Sequence, residues 1–350
     1  RDSGNLRRRF LAPVAYEALP PPNPVSESAE TTCRNHMPNH MPNHMEDDLT
    51  ADTSLNGIHF MLPTPFDGNG EVDLAPLKRL VDCAADTGCT GVVVLGVMGE
   101  AHRLADDERL AVLDAVVAAA DGRITVTVGV SSESNALVAR RTKDAQEHGG
   151  TAVMVSPGRM AKPNDAVLYR YFETVQSVAT IGIVVQDHPS ESGVNMSPAF
   201  IARLNAELPR AQYLKLEDPP TPPKITQVLA LTGDNMAIFG GLGGSFLFEE
   251  LRRGGSGTMT GFAYPEVLVA LYRLLEAGDV TGARKLFYDW VPYIRYENQP
   301  GIGLSIRKYS MMKRGLMDTF GTRPPSPAID KPTQEELDDI LASLPEIPTV

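Results

Sequence analysis

Ala211-Gln212-Tyr213-Leu214-Lys215-Leu216-Glu217-Asp218-Pro219-Pro220 reads as a short strand with an abrupt stop. Side chains alternate across a strand, so if Leu214 and Leu216 face a helix layer, Tyr213, Lys215 and Glu217 share the opposite face. Pro219 and Pro220 end the ladder, because proline has no backbone N–H to donate. Taken alone, the stretch reads first as an edge strand carrying a surface lysine, since lysines are seldom buried without a partner. What flanks it decides otherwise.

In both directions the same texture repeats. Strand-like runs fall at 57–62, 91–95, 124–130, 152–155, 181–186, 211–215, 236–239 and 257–260. Amphipathic patterns separate them: Leu74, Leu77, Leu80, Val81 and Ala84 recur at three- and four-residue spacing, as do Leu110, Leu113, Val116 and Val117. Asp73 and Asp106 stand where N-caps belong. Further helices fit 135–147, 164–178, 197–208, 222–231, 245–253 and 264–276. Eight strands, each followed by a helix, predict a closed (β/α)8 TIM barrel over 53–277. An open doubly wound sheet is the alternative, disfavoured because no G-x-G-x-x-G follows the first strand. Helical patterns over 281–296, 303–314 and 333–343 make 278–350 a C-terminal helical region. Tyr293, Tyr296 and the 303–314 helix suit either an interface or internal packing.

Residues 1–52 differ in kind. Pro20-Pro21-Pro22, scattered Ser and Thr, and a tandem Asn-His-Met-Pro repeat over 35–45 predict a disordered leader without the apolar core of a secretory signal. His36, His40 and His44 read as low-complexity repetition before they read as metal ligands. A formal charge of −12 argues against a general binder of nucleic acid or anionic membrane. No apolar run approaches the roughly 18 residues of a membrane span. Three cysteines, Cys33, Cys83 and Cys89, set up no disulfide framework. A cytoplasmic protein is expected.

In a parallel barrel the chemistry sits where strands end and helices begin. After the second strand, Gly96-Val97-Met98-Gly99-Glu100 can turn its amides into the mouth to hold a carboxylate, or be a plain connection. After the fourth, Arg159 can grip a second carboxylate. The fifth ends in Gln186-Asp187-His188, with Gln186 and His188 on one face and Asp187 on the other. His188 is a candidate acid/base. Gly240-Gly241-Leu242-Gly243-Gly244 permits close backbone approach, and Thr258 and Thr260 are expected to line the interior. No Gly-x-Ser-x-Gly elbow, Walker loop or H-E-x-x-H occurs. A lysine inside a low-dielectric barrel attacks carbonyls as a neutral amine and gives a Schiff base. Glu217 on the same face opposes that neutralisation if it is close and ionised.

From about Leu55 to Gly315 the chain resembles the dihydrodipicolinate synthase/N-acetylneuraminate lyase family, as a divergent member. Pro63-Thr64-Pro65-Phe66, Gly96-Val97-Met98-Gly99-Glu100, Ser156-Pro157, Pro189-Ser190-x-x-Gly193 and Lys215 carry the likeness in order and spacing. The resemblance implies a barrel with C-terminal helices, often a tetramer, whose strand-six lysine condenses with pyruvate or another 2-oxo acid. By position that lysine is Lys215. Val97 and Met98 replace two threonines of the family loop, Gln186 a catalytic tyrosine, and Glu191 a carboxylate-binding arginine. A second tyrosine aligns with Gly158 or Arg159.

The expected function is therefore a class I lyase, aldolase or dehydratase, acting on a 2-oxo acid. Lys215, His188 and Gln186 are the catalytic candidates. Val97, Met98, Arg159, Glu217, Gly241 and Thr260 are the substrate-binding candidates. Neither cofactor nor metal is expected; a homo-oligomer is. Alternatives are dihydrodipicolinate synthesis itself, a non-catalytic small-acid binder or scaffold, and a metal-dependent aldolase built on Asp187, His188 and Glu217.

Overall fold

The computed structural model describes residues 53–349. The expected leader at 1–52, with its histidine repeat, lies outside them. Eight strands, β1 (Gly57–Met61), β2 (Gly91–Val94), β3 (Thr125–Gly129), β4 (Ala152–Val155), β5 (Gly182–Asp187), β6 (Tyr213–Leu216), β7 (Ala237–Gly240) and β8 (Gly257–Thr260), pair in sequence order. All pairings are parallel, and β8 returns to β1 to close the (β/α)8 barrel.

The layer outside comprises α1 (Ala75–Asp86), α2 (Asp106–Ala120), α3 (Asn135–Glu147), α4 (Asp165–Val178), the single turn α5 (Pro189–Ser192), α6 (Pro198–Glu207), α7 (Thr221–Thr232), α8 (Leu247–Arg252) and α9 (Pro265–Glu276). Strands covered on both faces need apolar residues throughout, hence Val92-Val93-Val94 and Ile183-Val184-Val185, all buried. Inside the barrel the paired Tyr213, Phe239 and His59 fill a lower layer, His59 and Phe239 meeting edge to face at 5.6 Å. Gly182 makes room for this layer: a Cβ there would lie 2.7 Å from the Tyr213 ring. Buried His59 sits with its Nε2 2.6 Å from the Leu55 carbonyl, and burial pulls its imidazole down to about 4, so the bottom layer is neutral near pH 7.

Two helix starts differ from expectation. Leu74 and Ala105, not Asp73 and Asp106, occupy the cap positions of α1 and α2. Asp73 still accepts from the Ala75 amide at 3.1 Å, and Glu108 accepts from the Ala105 amide at 2.8 Å. A carboxylate one residue before the cap of α1, and one three residues after the cap of α2, thus satisfy amides at the helix starts.

Beyond α9 come α10 (Val280–Glu297), α11 (Gly303–Lys313) and α12 (Lys331–Ser343). Tyr293 and Tyr296 are turned inward, which settles their reading as internal packing. Tyr293 donates to Ser310 Oγ and stacks edge-on with Phe262 and Tyr264 of the β8–α9 connection; Tyr296 donates to Glu336 of α12. Arg314 completes the seam with contacts to the Ala263 carbonyl and Glu266. Among the described residues no helix is long and apolar enough to cross a membrane.

Candidate active site

Lys215 pairs in register with Gln186 on β5 and Phe239 on β7, so all three face the interior. The β5–β6 ladder continues one step past the strand through Glu217 N, which donates to the Asp187 carbonyl at 2.8 Å. That extra step keeps Glu217 on the face of Lys215, as period-two counting requires. Lys215 Nζ lies 3.0 Å from Glu217 Oε2 and 3.1 Å from Met61 Sδ on β1, with only 2% of the residue exposed.

Glu217 is the hub. Gln186 Nε2 donates to its Oε2 at 2.7 Å, and His188 Nδ1 stands 3.6 Å from the same oxygen. The other oxygen faces the Leu242 amide at 3.4 Å. Burial alone pushes this carboxyl up, but the Lys215 charge above all, then His188 and the Gln186 amide, hold it below the ordinary glutamate value. It is therefore an ionised base inside the barrel. Gly241 serves this carboxylate: a Cβ there would sit 2.4 Å from Glu217 Oε1. The glycine-rich stretch after β7 thus lets the backbone close over Glu217.

A cavity of about 610 Å³ opens above, lined by Gly96, Val97, Met154, Arg159, Gln186 and His188 among others. Lys215 does not line it. Its ladder neighbour Gln186 does, and joins the cavity to the ion pair behind. The amides of Val97 and Met98 donate to no group among the described residues, whereas those of Gly99, Glu100 and Ala101 bond back within the turn. Val97 is 39% exposed, and Met98 is buried against the site of a Gly261 Cβ. Arg159 Nε donates to the Glu191 carbonyl at 3.3 Å, which places that arginine at the cavity's opposite rim together with Glu191.

One expectation is corrected and one alternative finds no support. Thr260 is not an interior residue. Gly240 faces outward, since a Cβ there would strike Glu250 of α8, and Thr258 pairs with Gly240 in register; Thr258 and Thr260 therefore face the helix layer. Gly257, Met259 and Gly261 take the inward positions. Nor do Asp187, His188 and Glu217 converge as a metal set. Asp187 points outward, where Lys224 Nζ of α7 bonds it at 2.6 Å together with the Met196 carbonyl and Asp218. Among the described residues no group of three or more potential ligands converges for a metal.

Sequence reasoning missed Met61 and Lys224. Met61 is the inward residue of β1 nearest the mouth, but nothing in an apolar run marks a thioether as the neighbour of an amine. Lys224 lies in a proline-rich helix start whose outward partners only the fold assembles.

Comparison with known proteins agrees with this fold. A profile of the dihydrodipicolinate synthetase family matches residues 54–344. The L-2-keto-3-deoxyarabonate dehydratase of Azospirillum brasilense is 31% identical over 287 residues, 80% of this chain and 92% of that one. The 4-hydroxy-tetrahydrodipicolinate synthase of Syntrophobacter fumaroxidans is 30% identical over 250 residues, 70% of this chain and 84% of that one. Among solved structures, dihydrodipicolinate synthase from Rhodopseudomonas palustris superposes with a TM-score of 0.80 at 34% identity, covering 85% of this chain and all of that one. A barrel with a buried lysine on β6, matched along most of its length, places the chain in the dihydrodipicolinate synthetase family, as a divergent class I lyase.

Proposed function

We propose that the protein dehydrates a 3-deoxy-2-oxo sugar acid through a Schiff base on Lys215. The observation that carries the reading is the buried Lys215–Glu217 pair with Gln186 and His188 converging on the same carboxylate. The dehydratase of Azospirillum brasilense, similar over most of both chains, supports this choice of reaction.

Glu217, 3.0 Å from Nζ, takes the ammonium proton and frees the amine to attack C2 of the substrate. It returns that proton to the carbinolamine oxygen, water leaves, and a protonated imine remains. The imine withdraws electrons from C3, whose proton passes to the ionised Glu217 carboxylate. The enamine then expels the C4 hydroxyl as water, with a proton from His188, which lines the cavity. Hydrolysis of the conjugated imine restores Lys215. Gln186 orients Glu217 and has no proton to exchange, which leaves His188 as the acid on this side.

The unpartnered amides of Val97 and Met98 receive the C1 carboxylate, and Arg159 supplies a cation at the opposite rim. Glu191, beside Arg159, disfavours a second substrate carboxylate there, which argues against authentic dihydrodipicolinate synthesis. The protein works in the cytoplasm as a homodimer or homotetramer. Supporting assembly, aromatic Tyr288 of α10 and Phe246 before α8 remain exposed.

Incubation with 2-keto-3-deoxypentonates, followed by proton NMR, tests the reaction. Loss of the C4 hydroxyl without chain cleavage is expected, and Lys215→Ala abolishes it. Release of pyruvate and a two-carbon aldehyde would instead identify an aldolase and overturn the dehydratase reading.

A further inference from the structure

The turn after β2 is bracketed by strain. Leu95 has φ +59° and Glu100 φ +51°, a region that non-glycine residues rarely occupy. Such positions persist where the surroundings over-determine them, and they gather at ligand clamps. Here the surroundings come from the far end of the chain. Lys308 of α11, fully buried, places Nζ 2.6 Å from Glu100 Oε1, 2.8 Å from the Gly321 carbonyl and 4.5 Å from the Phe66 ring centre. The second Glu100 oxygen accepts from Arg103 at 3.1 Å and from the Arg323 amide at 2.9 Å. Arg307, the preceding residue of α11, brings Nη1 within 3.6 Å of Met98 Sδ. From the β1 side, Thr64 Oγ1 donates to the Gly99 carbonyl at 2.6 Å.

We infer that Lys308 is a positioning residue for the substrate carboxylate: by fixing Glu100 it holds the Val97 and Met98 amides toward the cavity. Resting on the proposed Schiff-base reading, this makes the C-terminal helical region a part of the binding machinery rather than only a scaffold. A merely stabilising ion pair would leave the selectivity of the turn untouched. Orientation of the two amides, by contrast, matters most to a carboxylate, whose charge-assisted hydrogen bonds are about twice as strong as those to a neutral amide.

The test uses the full chain and two probes, pyruvate and its uncharged analogue pyruvamide, with borohydride trapping on Lys215 quantified by mass spectrometry. In Lys308→Met and in Glu100→Gln the pyruvate concentration for half-maximal trapping is expected to rise about tenfold or more. That for pyruvamide should stay within about twofold, so the preference for the acid collapses. Glu100→Gln guards against failure of the lysine variant to fold, because burial pulls Lys308 down to about 8 and lets it shed its charge when its partner is neutral. Ile306→Val, a buried change on the same helix, should leave the preference intact. Survival of the preference in folded Glu100→Gln, or its equal loss in Ile306→Val, overturns the inference. Absence of any adduct in the unaltered chain would overturn the Schiff-base reading itself, and this one with it.

Discussion

Lys215 and Glu217 stand one leucine apart in sequence and 3.0 Å apart in space, and the proposed chemistry turns on that pair. Removing one member of a buried pair strands the other charge, so Glu217→Gln, which keeps the shape, is the informative change. Its kcat for dehydration is expected to fall by about 10²–10⁴-fold, the usual contribution of a general base. An unchanged kcat would remove Glu217 from the mechanism. His188→Gln should lower kcat by a similar factor, about 10²-fold or more, with little effect on KM. Arg159→Ala should raise KM for a substrate charged at its far end much more than for a neutral one, measured by steady-state kinetics on matched pairs. At this scale the site was largely legible. Period-two alternation places Lys215, Glu217, Gln186 and His188 on one side, with Asp187 opposite, because apolar neighbours fix the parity of β5 and β6. Thr260 was misread because β8 lies between Gly257 and Gly261 and offers no apolar alternation from which to set parity. The ladders to β7 and β1 do so.

Among the elements, α8 carries a second buried carboxylate with a different fate. Glu250 Oε1 accepts from Thr221 Oγ1 at 2.5 Å, while Oε2 is buried without a hydrogen-bond partner among the described residues. Burial pushes this carboxyl up to about 7 from 4.5. Between those values the folded chain binds more protons than the unfolded one. The Glu250 contribution to stability is therefore fully present below about pH 4.5 and is lost as pH rises through about 7. The full effect is on the order of 3 kcal/mol. Glu250→Gln, which keeps the Thr221 contact without the charge, should raise the melting temperature at pH 8 and change it little at pH 5. Equal effects at both pH values would show that Glu250 is not protonated in the fold. The sequence does not reveal this group, because α8 is a six-residue helix whose burial depends on β7 and α7. Nor does it reveal that the turn after β2 is held from α11, more than 200 residues away. The turn's glycines are plain in the sequence; its Lys308 and Arg323 partners exist only after folding.

For the whole molecule, closure of the β8–β1 ladder makes a single interior, and the C-terminal helices cover part of its mouth. Eight alternating units favour closure over an open doubly wound sheet, which would leave its two outer strands with a bare edge. How α10–α12 sit is not legible, because their apolar faces fit a partner as well as the barrel. The aromatic seam of Trp290 and Tyr293 against Phe262 and Tyr264, with Arg314 on Glu266, implies that a chain ended after Glu276 cannot cover the β8–α9 connection. Such a chain is expected to aggregate, measured by light scattering; a monodisperse, fully folded product would contradict that. The proposed chemistry converges on one nitrogen, Lys215 Nζ. Pyruvate with borohydride, followed by peptide mass spectrometry, tests it most directly. A single reduced adduct on Lys215, absent in Lys215→Ala, is expected. No adduct with any 2-oxo acid, or an adduct on Lys224 or another lysine, would contradict it.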